Sequence, residues 1–588
     1  MRFPSSLVSV LTAGFLLFST FGIQAQDKEK SYKSLLWEIS GNGLKKPSYL
    51  FGTMHISNKM VFHLSDSFYS AIRNADVVAI ELNPELWQSE IPRINKQGDV
   101  YKYYNATYYT DYLKENSFAE GDFLSLLRES LRFEPALNDA LLYRNESRMD
   151  NFQEDTYLDL YIYQTGKKLG KQTAGVETFL GAQRMMMEAV VDAAADKEKK
   201  RPDLDGVPYY ELNQTLQDAY RRGDLDVLDS INKITEYAQS FTEKFLYKRN
   251  EIQAASMDSI MKHQSLFVGV GAAHLPGKRG VIEILRKKGY TLRPVYMQDR
   301  DATQKKYIDS LIVPVAFTEQ YAADSFYSVS VPGKLNKIDS RSMHLEHYAD
   351  MANGAYYLVT RIKTNVIVNG YDATRMMKTV DSLLYEDIPG VILSRKPITK
   401  DGYQGMDIVN KTRKGDMQHY QVFFTPSELF VFKMGGKGNY VNGKEAATFF
   451  SSINFKPQPA QPVWKLYSPA SGGFQVKMPA DPQVFYREAG KDNLPEWKFE
   501  ATDPVTKEHY AVFRKSIYSF DFIEADTFDL MLMTESLASG QGWEEKKTNR
   551  DILFKGRPAR DISFRAKDGA YIQAVSYTHL TLPTTERV

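Results

Sequence analysis

There is no cysteine anywhere in the 588 residues. That excludes disulfide staples, thiol nucleophiles and thiolate metal ligands, so packing must hold the folded parts together. Any metal must rest on His, Asp, Glu, Asn or backbone oxygen. An excess of one charge is missing too: 74 Lys and Arg against 73 Asp and Glu give a formal net charge of +1. No long-range field is left for nucleic acid or an acidic membrane surface, and no nucleic-acid partner is expected. The mixed run Lys197-Glu198-Lys199-Lys200-Arg201 reads as a solvated loop. The apolar stretch from Leu7 to Phe21 follows Arg2 and precedes Ile23-Gln24-Ala25. It is short for a membrane span and has the layout of a secretory signal peptide over residues 1–25, with an uncleaved anchor as the alternative. No cysteine follows it to carry a lipid. The expectation is a chain exported to the periplasm or beyond, with no stable transmembrane segment after cleavage.

What is present is foldable sequence, 43% apolar and 25% charged, too long for one core. From 32 to 297 strand-like and helix-like segments alternate. Tyr49–Gly52, Val77–Leu82, Thr173–Val176, Leu266–Val270 and Thr291–Val295 are short, nearly continuous apolar runs. Such runs suit strands covered on both faces of an α/β sheet. Ser65–Asn74 and Gly280–Lys288 read as helices. The stretch from about Glu90 to Gly170 reads as a helical insertion able to cap a site.

One short pattern occurs twice, Gly52-Thr53-Met54-His55 and Gly271-Ala272-Ala273-His274, each closing an apolar strand and each leading into a helix. Glycine lets the chain turn sharply off a strand and lets another group come close. Each histidine then lies at a carboxyl strand end, where open α/β sheets place their ligands. Two such histidines can converge on one metal or one substrate. Glu81 closes Asp76-Val77-Val78-Ala79-Ile80-Glu81, and a carboxylate buried there is costly unless it is paired or bound to a metal. It is either the third member of the site or a structural Glu satisfied by an arginine or helix N-termini. Glu177, ending Gly175-Val176-Glu177, is a second candidate with the same two readings. His63 and His263 read as surface residues. His344 and His347 lie in a strand-like stretch and would point to opposite faces, so they are not expected to share a metal.

These stretches, with Ala79-Ile80-Glu81-Leu82-Asn83-Pro84, Gly175-Val176-Glu177-Thr178, Arg249-Asn250 and Leu275-Pro276-Gly277, resemble the TraB/GumN family in their order along residues 34–297. That family includes the Tiki proteases and is similar to the erythromycin esterase and ChaN-like groups. The resemblance implies metal-dependent hydrolysis of peptide bonds, with His55, Glu81 and His274 as metal ligands and Arg249 and Asn250 as a polar pair at the site. Two imidazoles and a carboxylate leave an ion one open position for water. In that setting Glu177 could accept the water's proton and Arg249 could stabilise the oxyanion. Manganese, cobalt, zinc and iron all suit such a donor set. No His-Glu-x-x-His motif supports the protease reading independently. Two alternatives stay open: a non-catalytic haem- or metal-binding protein of the ChaN-like kind, and an envelope interaction protein acting through its C-terminal half.

Beyond residue 300 alternation of the strand type takes over, as in Phe326-Tyr327-Ser328-Val329-Ser330-Val331. Met343–Arg361 aligns without a gap on Glu496–Arg514, and Gly402, Asp407 and Ile408 match Gly556, Asp561 and Ile562. The organisation expected is therefore an α/β domain over 32–297 and two tandem α+β modules. These span 310–456 and 464–575, joined by a Pro-rich linker at 457–463, the second module incomplete. These modules are the candidate surface for an envelope protein partner. The residues 576–588 resemble translated adapter sequence and are expected to be foreign to the protein.

Overall fold

The computed structural model describes 123–132, most of 154–196, much of 464–577 and, with short gaps in each, residues 31–97, 209–296, 302–363 and 373–457. The leader, the loop beginning at Lys197 and His63 lie outside the described residues.

The first region is built on a mixed six-stranded sheet. Its strands are β1 (Leu36–Gly41), β2 (Ser48–Thr53), β3 (Val77–Leu82), β4 (Gln172–Glu177), β5 (Leu266–Gly271) and β6 (Tyr290–Val295), in the order β4-β3-β5-β2-β1-β6. β2, β5, β3 and β4 run parallel, while β1 is antiparallel to both β2 and β6. All the strands expected from apolar runs are therefore formed. β2 and β5 are buried at every position, as expected of strands with both faces covered.

Helices complete the layers: α1 (Asp66–Asn74), α2 (Pro84–Gln97), α3 (Phe123–Arg132), α4 (Leu158–Lys168), α5 (Phe179–Ala195), α6 (Tyr209–Arg222), α7 (Leu225–Ile234), α8 (Arg249–Met261), α9 (Val281–Lys287) and α10 (Ala302–Ser310). Ser65 starts α1 by accepting a bond from the Phe68 amide, leaving Phe68 free to pack edge-on against Phe51 and Phe267 at 5.0 and 5.4 Å. α4 packs on β3, β4 and β5, and α8 on β4 and β5. Upstream of α8 the helix passes from a short α turn, Gln239–Thr242, through a π-helical segment, Glu243–Lys248.

The second region begins with β7 (Thr318–Tyr321), β8 (Tyr327–Val331) and β9 (Asn336–Asp339), and continues through β10 (Met343–Asp350), β11 (Ala355–Lys363) and α11 (Ala373–Asp387). It closes with β12 (Val391–Lys400), β13 (Tyr403–Lys411), β14 (Met417–Phe424), β15 (Glu428–Gly436), α12 (Lys444–Ser451) and β16 (Asn454–Phe455). Strands β9 to β15 form one antiparallel seven-stranded sheet. Alternate residues of β15 serve two cores: Phe430 and Phe432 pack with Phe449 and Phe455, while Leu429 and Val431 pack with Val380 and Leu384. Leu127 and Leu131 of α3 join the latter core, so this helix of the insertion covers the second sheet, while α4, at the insertion's other end, packs on the first sheet and reaches the site through Asp159. The two regions share packing, because Ala349, Met351 and Leu358 enter the core of the first and the Gln88 amide bonds both the N–H and the C=O of Ala349.

Three smaller sheets follow, β17-β18 (Lys465–Tyr467, Val476–Met478), β19-β20-β21 (Gln483–Arg487, Glu496–Thr502, His509–Lys515) and β22-β23-β24 (Trp543–Phe554, Arg557–Ala566, Tyr571–Tyr577). In two hairpins the residues aligned in the sequence occupy the same cross-strand positions: Tyr348 faces Tyr357, and Ala501 faces Tyr510. Lys400 faces Tyr403 around Asp401 and Gly402, and Phe554 faces Arg557 around Lys555 and Gly556. In both turns the two central residues have positive φ, +50° and +85° in the first and +52° and +77° in the second, as tight hairpins require. Among the described residues no helix is long and apolar enough to cross a membrane.

Candidate metal and catalytic centre

The parallel order β2-β5-β3-β4 decides what meets what. Adjacent β2 and β5 pair Gly52 with Val270 and Thr53 with Gly271, which sets the two glycine–histidine turns side by side at one sheet edge. β3, next to β5, brings Glu81 to the same edge, and β4, next to β3, brings Glu177. Each strand contributes its carboxyl end, the position at which parallel α/β sheets carry ligands.

The side chains converge there. His55 Nε2 lies 3.6 Å and His274 Nε2 3.7 Å from the same Glu81 oxygen, Oε1. That oxygen also accepts the Gly271 amide at 2.6 Å. The other, Oε2, accepts Arg249 Nη2 at 2.7 Å. Arg249 Nε donates to both oxygens of Glu177, at 3.1 and 2.9 Å, and Gln253 Nε2 donates to Glu177 Oε1 at 2.6 Å. Arg249 is thus shared between two buried carboxylates, which offsets a desolvation cost neither could bear alone.

The far nitrogen of each imidazole is also held. His274 Nδ1 lies 2.6 Å from Asn250 Oδ1. Because Asn250 Nδ2 donates to the backbone oxygen of Arg279 at 2.8 Å, the orientation of the amide is fixed and Oδ1 can only accept. His274 must then carry its proton on Nδ1, leaving Nε2 as a lone pair aimed at the site. His55 Nδ1 lies 3.0 Å from Asp159 Oδ2, while Thr53 Oγ1 donates to Asp159 Oδ1 at 2.6 Å. Here too Nδ1 carries a proton.

Electrostatics separate the two rings. The charge of Asp159 holds the His55 imidazole well above its usual value, with hydrogen bonds to Asp159 and Glu81 adding to it. Burial pushes His274 down to about 4 despite the pull of Glu81. For Glu81 burial alone would raise the carboxyl, yet the bond to His55 and the charges of His274, His55 and Arg249 hold it well below the carboxylate range.

Chemistry and space both bear on a cation. A Cβ built on Gly271 would lie 3.1 Å from Glu81 Oε1, 3.2 Å from His55 Nε2 and 3.4 Å from His274 Cδ2, so the missing side chain leaves open space between the three candidate ligands. Two imidazoles with fixed Nδ1–H and one carboxylate are donors suited to a divalent first-row ion. As the side chains stand, no group of three or more His, Asp or Glu among the described residues is closed to ligand distance. Taking up an ion would require His55 to release its proton and Glu81 to turn Oε1 fully inward from the Gly271 amide.

All six residues singled out in the sequence thus lie in one connected cluster. His55, Glu81 and His274 face one another, Arg249 and Glu177 stand behind Glu81, and Asn250 stands behind His274. Asp159, Thr53 and Gln253 were missed. Asp159 had one signal, a lone carboxylate in the otherwise apolar run Leu158–Ile162. His263 is exposed at the end of α8, and on β10 His344 is exposed while His347 is buried.

Residues 35–294 match the TraB/PrgY/gumN family, which bears out the resemblance read from the motifs over that region. Curated relatives include Metalloprotease TIKI2 of Danio rerio, 24% identical over 374 residues, with 51% of this chain and 67% of that protein covered. Metalloprotease TIKI homolog of Amphimedon queenslandica is 24% identical over 349 residues (49% and 66%), and Metalloprotease TIKI1 of Danio rerio 23% over 329 residues (46% and 64%). The matches therefore span about two thirds of these relatives and about half of this chain.

Proposed function

We propose that the first region is a divalent-metal-dependent hydrolase acting on peptide bonds, with His55, Glu81 and His274 holding the ion. The observation that carries the reading is the approach of both Nε2 atoms to one oxygen of Glu81, with each Nδ1 proton tied off behind. The names of the relatives, all metalloproteases, point the same way. An ion bound there would supply Lewis acidity, lowering the pKa of a water and polarising the scissile carbonyl. The chain's own groups do the rest. Arg249, fixed by two carboxylates, presents a guanidinium beside Glu81 where negative charge develops on the carbonyl oxygen. Glu177 has both oxygens engaged by Arg249 and one also by Gln253, so holding the guanidinium is the role its contacts favour. Accepting a proton would require it to release one of these bonds. Asn250 fixes His274.

The same reading places the chain outside the cytoplasm, on the strength of the leader, and treats the two C-terminal regions as copies of one module that docks an envelope partner. The matched hairpin registers support the copies.

Metal analysis of the purified protein, with cleavage of a broad peptide library after chelation and restoration of Mn, Co, Zn or Fe, tests the hydrolase. Cleavage should return with metal and vanish in His55→Ala, His274→Ala and Glu81→Gln. Stoichiometric haem in the purified protein, or no cleavage with any of the four metals, would overturn the reading.

A further inference from the structure

The two histidines are held from behind by different chemistry, and the difference singles out a residue with no part in the motifs. Asp159 lies in the first turn of α4, between Leu158 and Leu160 and one turn before Ile162, all fully buried. A lone carboxylate in such a run carries a desolvation cost that some partner must offset. Both of its oxygens are spent on the first motif: Oδ1 accepts Thr53 Oγ1 at 2.6 Å and Oδ2 faces His55 Nδ1 at 3.0 Å. Among the described residues the ion pair made by Asp159 is the one with His55. The second motif has Ala272 where the first has Thr53, and there the orienting group, Asn250, is anchored by the Arg279 carbonyl instead.

We infer that Asp159 is the positioning residue of His55. With Thr53 as its anchor it keeps a proton on Nδ1, so that the proton released on taking up an ion comes from Nε2 and the lone pair it frees faces Glu81. This matters more for His55 than for His274, because 60% of the His55 side chain is exposed against 6% for His274. Packing immobilises the buried ring, whereas the exposed ring depends on its hydrogen bond for direction. The inference rests on the metal reading above for its consequence, but not for the hydrogen bond itself. Outer partners of this kind typically change metal affinity by about 10- to 100-fold.

The test uses the full chain and the variants Asp159→Ala, Asp159→Asn and Thr53→Val, with cobalt and manganese chloride as probes. In calorimetric titration Asp159→Ala should weaken cobalt binding by about 10- to 100-fold and alter the visible ligand-field spectrum of the bound cobalt. Asp159→Asn, which copies the arrangement behind His274, should recover part of that loss, and Thr53→Val should fall between wild type and Asp159→Ala. In nitrogen-15-edited NMR of the metal-free protein, the His55 Nδ1–H should exchange slowly in wild type and rapidly in Asp159→Ala. Unchanged cobalt affinity and unchanged Nδ1–H exchange in Asp159→Ala, with His55→Ala abolishing binding, would sink the inference and leave the metal reading standing. If wild type binds neither ion, the metal reading fails, and the exchange measurement still decides whether Asp159 holds the ring.

Discussion

The two glycine–histidine turns are alike as sequences and unlike as structures. His55 stands at the open side of the cluster on a carboxylate, and His274 is enclosed and backed by an amide. Their glycines differ as well. A Cβ on Gly52 would press on Ala272 Cβ and Cα at 3.2 and 3.3 Å and on Leu275 Cδ2 at 3.3 Å, whereas one on Gly271 would meet the site's own ligand atoms. Gly52 thus lets the second turn pack closely, and Gly271 keeps the centre open. A repeated pattern need not be a repeated function: one arm is the fixed wall of the site and the other its accessible side.

The largest effect expected treats the arms as equals. His55→Ala and His274→Ala should each lower metal-dependent peptide cleavage by more than about 100-fold, since even outer partners cost up to that much. A surviving rate in either would show that the arm is not a ligand. Stability should then separate them. His274→Ala opens a cavity and strands Asn250 Oδ1, for roughly 2–4 kcal/mol in denaturant unfolding, while His55→Ala opens no buried cavity and its cost, about 1–3 kcal/mol, comes from stranding the Asp159 carboxylate. Adding Asp159→Ala to His55→Ala should recover part of its loss, and a His55→Ala loss that the second substitution leaves unchanged would erase the distinction between wall and open side.

Acid and alkali should sharpen it further in the metal-free protein. His274 has its folded pKa lowered to about 4. The unfolded chain therefore takes up a proton that the folded one refuses, and stability falls as pH drops from about 6.5 toward 4. The full loss is at most roughly 3.5 kcal/mol at about 1.4 kcal/mol per unit. His55 has its pKa raised by Asp159, so its contribution is fully present below about 6.5 and is lost as pH rises through the folded value. Thermal unfolding from pH 4 to 9 should show the acid limb flattened in His274→Gln and the alkaline limb in His55→Gln. Buried His347, also lowered to about 4, contributes an acid slope common to all three proteins. The glycines carry the comparison into packing. Gly52→Ala should cost about 1–3 kcal/mol through overpacking. Gly271→Ala should cost less than that and yet abolish cobalt binding, which calorimetry would read directly.

Much of this was legible beforehand. Runs such as Leu266–Gly271 can be little other than strands covered on both sides, and the ends of such strands announce where polar residues will gather. Glu81 was legible for the same reason, a charge closing a run with no exposed side. Asp159 was not, because one acid in the first turn of a helix is ordinary sequence whatever it touches. Neither was the docking of α3 on the second sheet, since an apolar helix stripe states that it must be covered and not by what. β1 went unread because Glu38 and Ser40 break its apolar pattern, although its backbone pairing on both edges fixes it between β2 and β6.

The π-helical segment Glu243–Lys248 has a consequence for the winding of everything beyond it. Within the segment, Glu243 and Tyr247 grip the Arg279 side chain, at 2.6 Å and by a ring contact at 4.1 Å, while just downstream Arg249 and Asn250 must reach Glu81 and His274. A regular helix advances about 100° per residue, so removing a single residue here would swing one set of groups off its partners while the other stayed engaged. The wide turn acts as a phase adjuster, letting one helix serve two targets that even winding would put out of step.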